Sequence, residues 1–155
     1  MTPPKLTVEL VPKTAWFKNV RSEVSKERWD NIRKLVYMKA LYSCEICGGQ
    51  GPKWPVECHE VWEYDDTKHI QRLVRMTGIC PDCHQVKHIG LAERMGHLKD
   101  ALAHLAKVNK WDEKQARQYV KEQFEVWQQR SRYKWTLDLS ALDRYAPEKK
   151  LSSTA

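Results

Sequence analysis

Two CxxC pairs place the strongest constraint on how this chain can fold. They are Cys44-Glu-Ile-Cys47 and Cys80-Pro-Asp-Cys83, and residues 48–79 separate them. Four thiolates form a closed tetrahedral zinc site, which is structural because no coordination position remains for a substrate. The separation exceeds the roughly 15–20 residues of the simplest four-cysteine sites, so there is room for an inserted β-hairpin. We therefore predict a structural zinc bound by the four cysteines.

A thioredoxin-like redox pair and free core cysteines are the alternatives. A redox CxxC is expected within a βαβ unit, and no such pattern is apparent. The fifth cysteine, Cys58, is expected to be a small buried apolar residue. The opening MTPPKLTVELVPK has no apolar signal-peptide region, and no apolar run is long enough to span a membrane. We therefore expect cytoplasmic localisation and reduced cysteines.

Composition indicates one globular domain, residues 1–155, rather than a disordered chain. Hydrophobic residues make up 41% and charged residues 30% of the 155 residues. The formal net charge is +7, from 27 Lys and Arg against 20 Asp and Glu. A basic surplus on a small domain favours a polyanionic partner, nucleic acid first.

The hydrophobic pattern predicts an α+β fold. Ser25 is a plausible N-cap for a helix over 25–41, and Gly and Pro residues indicate turns over 43–55. Asp112 with Gln115 resembles a capping box, which places a helix start within a helical pair over 91–131. The other expected elements are a possible strand at 6–11, strands at 56–62 and 73–79 joined by a loop at 65–69, a helix from Pro81, and a polar tail from Ala146.

Three histidines form a second candidate metal site. His84 and His88 are four residues apart, so they would share one face of a helix. Two imidazoles at that spacing make half of a metal site, and a strand carrying His59 could lie opposite them. The alternative is that His84 is only a neighbour of the zinc knuckle and His88 a surface residue. The remaining histidines are expected to be surface or packing residues: His69, His97 and His104.

The segments VECHEV and ICPDCHQVKH resemble the HNH endonuclease superfamily, whose core is a ββα-metal finger. The likeness is strongest to the branch in which two CxxC knuckles bind a structural zinc, and it covers residues 44–89. CEICGGQGPKWPVECHEVWEYDD and HLAKVNKW are also similar to small bacterial HNH endonuclease-like proteins. The resemblance implies a zinc-stabilised ββα core flanked by the 25–41 helix and the C-terminal helices. It also implies metal-dependent hydrolysis of DNA.

The resemblance implies two registers for the catalytic residues. In the first, His59 is a metal ligand and Glu60 is the general base, because an apolar residue, Val61, then follows the pair. In the second, Cys58 is the ligand and His59 is the base. His84 and His88 match helix histidines that bind the metal or the scissile phosphate. The catalytic metal, held by His59, His84 and His88, would be Mg, Mn, Ni or Zn, since histidine ligation alone does not choose.

The chain departs from the family pattern in lacking its middle Asn. The segment HIQRLVRMTGIC contains none, and Gln71 or Thr77 are the candidates to replace it. The alternative function is therefore a catalytically inactive HNH-like zinc module that binds nucleic acid or a protein.

Basic residues suggest where DNA would bind, because phosphate contacts are made chiefly by Lys and Arg. Three flank the proposed site, and two belong to a basic run near the end of the last helix. We predict nucleic-acid contacts at Arg72, Arg75, Lys87, Arg130 and Arg132.

Overall fold

The computed structural model describes residues 3–16 and 18–145, and these form an α+β fold. Six α-helices, a three-stranded sheet and a short 3-10 helix make up the described part. The α-helices are α1 Val20–Glu23, α2 Lys26–Lys39, α3 Pro81–Lys87, α4 Ile89–Arg94, α5 Leu98–Asn109 and α6 Glu113–Arg130. The strands are β1 Glu57–Asp65, β2 Ile70–Ile79 and β3 Thr136–Asp138, and the 3-10 helix is Ser140–Arg144.

The sheet has the order β1-β2-β3. Strands β1 and β2 form an antiparallel hairpin in which His59 lies opposite Thr77, with a register shift between Val61 and Trp62. Strand β3 pairs with β2 in parallel. The predicted strands at 56–62 and 73–79 are therefore one longer hairpin, with a turn only at residues 66–69.

Capping residues fix where the long helices begin. The Ser25 hydroxyl accepts a hydrogen bond from the Arg28 backbone N–H, as expected for the N-cap of α2. Asp112 and Gln115 form the reciprocal capping box at the start of α6. The structure confirms both predicted helix starts. They could be predicted because each cap depends only on neighbouring residues.

The buried apolar residues form two hydrophobic cores, and both include residues of the hairpin. The first joins the N-terminal segment, three of the cysteines and helices α3 to α6; it includes Leu6, Ile79, Cys83, Val86, Ile89 and Leu105. The second joins α2, the sheet and the 3-10 helix; it includes Val20, Ile32, Val36, Leu73, Met76 and Leu142. The first core therefore surrounds the cysteine pairs, whereas the second supports the hairpin.

The apolar residues from Leu91 to Leu105 recur at helical spacing and predict one buried stripe on the first helix of the pair over 91–131, but the structure divides this stretch between α4 and α5. Helix α4 ends at Arg94, and Gly96 adopts a φ of 81°, a left-handed conformation that L side chains rarely adopt. Leu91 is 51% exposed, so it does not belong to the buried stripe.

Three further elements differ from the sequence expectations. The segment at 6–11 forms no strand and packs against α3 through a bond from the Glu9 N–H to the Lys87 carbonyl. Strand β3 and the 3-10 helix had no clear sequence signal. The expected tail from Ala146 lies outside the described residues. None of the described helices combines the length and apolar character needed to cross a bilayer.

Candidate functional site

The four predicted zinc ligands lie together. Their sulfur atoms are all within 4.8 Å of one another, and the Cys47 and Cys80 sulfurs are 3.7 Å apart. Cys44 and Cys47 belong to the turn after α2, whereas Cys80 is the N-cap of α3 and Cys83 lies in its first turn. The arrangement confirms that the two CxxC pairs form one four-cysteine cluster.

Backbone amides surround the sulfurs as a zinc knuckle requires. The N–H groups of Ile46 and Cys47 donate to the Cys44 sulfur, and the Cys83 N–H donates to the Cys80 sulfur, all at 3.4 Å. The hydrogen bond from Cys83 lowers the pKa of Cys44 to about 4, and burial raises the pKa of Cys80 to about 11. Four sulfur atoms crowded at one point fit a bound divalent cation, which favours the thiolate form of its ligands.

His104 touches this cluster, although sequence analysis predicts only a surface or packing role for it. Its Nε2 lies 3.2 Å from the Cys83 sulfur because α5 packs directly against α3. Desolvation lowers the pKa of His104, so the ring is neutral and can donate its N–H to a thiolate. The sequence signal for this contact is weak: His104 directly precedes Leu105, one of the buried apolar residues of α5.

The three candidate catalytic histidines also converge. One nitrogen of each of His59, His84 and His88 lies within 4.8 Å of the other two, and the Nε2 atoms of His84 and His88 are 3.1 Å apart. His59 comes from β1, His84 from α3, and His88 is the residue that ends α3. The hairpin and the helix therefore bring the three imidazoles to one point.

The surroundings of His59 and His88 lower the pKa of both rings, which favours the neutral form that metal ligation requires. Burial lowers the pKa of His59. Desolvation by the surrounding protein, followed by the charges of His84 and His59, lowers the pKa of His88 to about 4, although the residue is exposed to solvent. Three imidazoles whose nitrogens converge in this way fit a divalent metal ion.

Two carboxylates hold the rings from outside the cluster. Glu57 Oε1 lies 2.8 Å from Nδ1 of His84, which leaves Nε2 of His84 free to point at a metal. Glu9 forms a hydrogen bond with Nε2 of His59 and also accepts one from the backbone N–H of Trp62. Glu9 was missed because it lies in the irregular N-terminal segment, far from His59 in sequence.

Glu60, the predicted base of the first register, lies outside the three-histidine cluster. It lines a neighbouring cavity together with His88 and Glu9, and its carboxylate accepts a hydrogen bond from the Val20 N–H. Burial raises the pKa of Glu60 to about 7, although the bond from Val20 opposes that shift. A carboxyl group with this pKa can exchange a proton near neutral pH.

Cys58, the alternative ligand of the second register, is not among the clustered ligand atoms. It packs against the second core, and burial raises the pKa of its thiol to about 12. A thiol with such a pKa stays protonated at neutral pH and is a poor metal ligand.

The two candidates for the missing Asn have different surroundings. Thr77 lies opposite His59 in the hairpin, but its hydroxyl donates to Glu45 at 2.8 Å. Gln71 is fully buried, and neither of its side-chain polar atoms has a hydrogen-bond partner among the described residues. The described contacts of these two side chains do not include His59.

The predicted DNA-binding residues are not equally accessible. Lys87 is 7% exposed and donates to the Thr7 hydroxyl at 2.7 Å, so its ammonium group points into the protein. Arg72 binds Glu63 and Asp138, and Arg130 binds Asp66 through two nitrogens. Arg75 is half exposed with its nearest carboxylate, Glu45, at 4.0 Å, and Arg132 is exposed.

Comparison with known proteins does not identify this chain. No family model, no curated protein and no solved structure matches it. The functional conclusion therefore depends on the site itself.

Proposed function

We propose that this protein is a metal-dependent endonuclease of the HNH type, which hydrolyses phosphodiester bonds in DNA. The observation that carries the proposal is the convergence of His59, His84 and His88 beside a cavity that Glu60 also lines. A purely structural zinc module has no need of three converging imidazoles with carboxylate partners.

The order of elements supports this assignment. Strands β1 and β2 form an antiparallel hairpin, and α3 follows immediately after Ile79. That is the β-β-α order of the finger that the sequence resembles. The four-cysteine zinc would hold the start of α3 in place and take no part in catalysis, because its coordination sphere is closed.

The three histidines would bind Mg, Mn, Ni or Zn. The bound metal would polarise the scissile phosphate and stabilise the leaving oxygen. Glu57 and Glu9 orient His84 and His59 through the hydrogen bonds described above, which fixes the ring nitrogens that would be available to a metal.

Glu60 is the general base in this proposal. Its pKa of about 7 suits the removal of a proton from water near neutral pH. The protonated, core-packed Cys58 favours the register in which His59 is the ligand and Glu60 the base. Exposed guanidinium groups such as Arg75 and Arg132 would bind the DNA backbone.

Cleavage of supercoiled plasmid with added Mg, Mn, Ni or Zn tests the proposal. We expect metal-dependent nicking by the wild type, and loss of activity in His84→Ala and in Glu60→Gln. Glu60→Gln should keep the second metal, whereas His84→Ala should lose it. Absence of cleavage with every metal, by folded zinc-loaded protein, would rule out the nuclease.

One observation favours a second function, a non-catalytic zinc module that binds nucleic acid. Thr77 lies where β2 faces His59, yet it donates its hydroxyl to Glu45. An enzyme that needed an amide to orient a catalytic residue from this strand would be incomplete. In that case the protein would bind DNA without cutting it.

A further inference from the structure

A cavity of about 700 Å³ opens beside the histidine cluster. Glu9, Glu60 and His88 form part of its wall, so it adjoins the place where a scissile phosphate would lie. Pockets that bind small molecules have volumes of roughly 300–1,000 Å³. The cavity is therefore large enough for one nucleotide.

Aromatic rings make up much of the remaining wall. Trp16 comes from the N-terminal segment, Trp62 from β1, and Phe124 and Trp127 from α6. Trp16 is 70% exposed and has no aromatic partner among the described residues. An exposed indole at the wall of a cavity provides a free face on which a planar ligand can stack.

Three cations line the same cavity: Lys13, Lys18 and Arg94. None of them forms an ion pair with a carboxylate of residues 3–16 or 18–145, and Lys13 Nζ lies 5.1 Å from the ring centre of Trp127. Three carboxylates also line the cavity, those of Glu9, Glu60 and Glu93, and they offset much of this charge. Cations outside ion pairs, next to the exposed indole of Trp16, match a nucleotide, which has an anionic phosphate and a planar base.

A base in a regular duplex cannot enter such a cavity. It is paired on one edge and stacked on both faces, so side chains reach only its groove edges. An aromatic cavity holds a base only when that base is unpaired or turned out of the stack.

We propose that this cavity receives the unstacked base of a nucleotide next to the phosphate at the histidine cluster, so that the protein prefers single-stranded or locally unpaired DNA. The inference rests on the proposed function for the position of the phosphate. Binding of the base does not itself require cleavage.

Binding of fluorescently labelled oligonucleotides tests the inference. The full-length zinc-loaded protein is titrated without a second metal, against a single strand of about 16 nucleotides and its duplex. We expect tighter binding of the single strand. Trp16→Ala should weaken single-strand binding roughly tenfold, because stacking on one aromatic side chain contributes about 1–3 kcal/mol.

Two variants separate stacking from general damage. Trp16→Phe keeps an aromatic ring and should restore most of the affinity. Tyr42→Ala removes another exposed ring, 49% exposed, that does not line the cavity, and it should bind like the wild type. An oligonucleotide in which the base bound by the cavity is replaced by an abasic position should also bind the wild type less tightly.

The results distinguish this inference from the nuclease proposal. Three results would overturn the cavity inference. They are equal or tighter binding of the duplex, no binding of either form, and equal effects of Trp16→Ala and Tyr42→Ala on single-strand binding. Single-strand preference that depends on Trp16, without cleavage under any metal, would support the cavity while refuting the nuclease. Duplex cleavage that is unaffected by Trp16→Ala would support the nuclease while refuting the cavity inference.

Discussion

At the scale of single residues, His104 shows how a second helix contributes to the cysteine cluster. Its ring nitrogen lies 3.2 Å from the Cys83 sulfur. A hydrogen bond to a metal-bound thiolate stabilises its negative charge and fixes its orientation.

We predict that His104→Ala releases zinc more readily than the wild type. Loss of an outer-shell partner typically costs 10–100-fold in metal affinity, so roughly a tenfold faster transfer of zinc to a chromogenic chelator is expected. His97→Ala is the matched control, because His97 is exposed and precedes the same helix. Equal release rates in the two variants would contradict this role.

The raised pKa of Glu60 predicts that DNA cleavage depends on pH. Burial raises its pKa to about 7, and a general base acts only when deprotonated. Cleavage should therefore rise with pH and level off above about 7, with a lower midpoint if bound metal favours the carboxylate.

The pH profile of plasmid cleavage, measured between pH 5 and 8, provides the check. Glu60→Gln should remove both the activity and the pH-dependent rise. Glu63→Gln, at an exposed carboxylate of the same strand, should keep both. An unchanged profile in Glu60→Gln would exclude Glu60 as the base.

Residue-scale prediction from the sequence succeeded where spacing is local. The intervals within each CxxC pair, and between His84 and His88, fix which side chains share a turn or a helix face. Glu9 could not be found in this way. Its contact with His59 depends on how an irregular segment packs against α3, and no periodic pattern in the sequence indicates that packing.

At the scale of elements, the loop before β1 is packed tightly against the start of α3. A Cβ added at Gly51 would lie 2.3 Å from the Trp54 carbonyl oxygen and 2.7 Å from Cδ of Pro81. The loop and the helix that carries Cys83 and His84 therefore touch at a point with no spare space.

We predict that Gly51→Ala destabilises the protein by about 1–3 kcal/mol, the usual cost of forcing extra volume into a packed region. Chemical denaturation of the zinc-loaded protein measures this change. Gly90→Ala is the control, because its added Cβ would meet nothing closer than 3.9 Å. Similar midpoints for both variants would show that the loop adapts easily.

Element boundaries followed the sequence only where capping residues marked them. Ser25 and Asp112 identified the starts of α2 and α6. The break between α4 and α5 was not predicted, because Leu91, Met95 and Leu98 continue a helical spacing through Gly96. Strand β3 has only three residues, Thr136–Asp138, and it forms because β2 offers a free edge rather than because of its own sequence.

At the scale of the whole molecule, the cysteine cluster lies within the first core rather than at its margin. Cys44, Cys80 and Cys83 are buried with apolar residues of α3, α5 and α6. Without metal, these buried thiols would have no shared ion to join the turn after α2 to the start of α3.

We predict that zinc removal unfolds the chain at 25 °C. Structural zinc contributes roughly 10–16 kcal/mol in zinc-finger peptides, which is comparable with the total stability of a domain, about 5–15 kcal/mol. Near-ultraviolet circular dichroism before and after chelation checks this. Cys47→Ala should behave like the chelated protein, whereas Cys58→Ala should retain zinc and the native spectrum. Cooperative unfolding at an unchanged temperature after chelation would refute the prediction.

The α+β class and the cysteine cluster could be predicted from the sequence because hydrophobic periodicity and CxxC spacing are explicit. The aromatic cavity could not, because its walls come from the N-terminal segment, β1 and α6. Its shape depends on how these distant parts pack together.

Helix α3 has a cysteine of the four-cysteine cluster at its start and a histidine of the three-histidine cluster at its end. Cys80 is its N-cap and His88 is the residue that ends it. Each residue of an α-helix advances the side-chain direction by about 100°. An insertion or deletion of one residue between Cys83 and His84 would therefore rotate the imidazoles away from His59 while the cysteines stayed in place. The number of residues from Cys80 to His88 is therefore restricted to a single value. Related chains should keep this number, even where the residues between the cysteines and histidines differ.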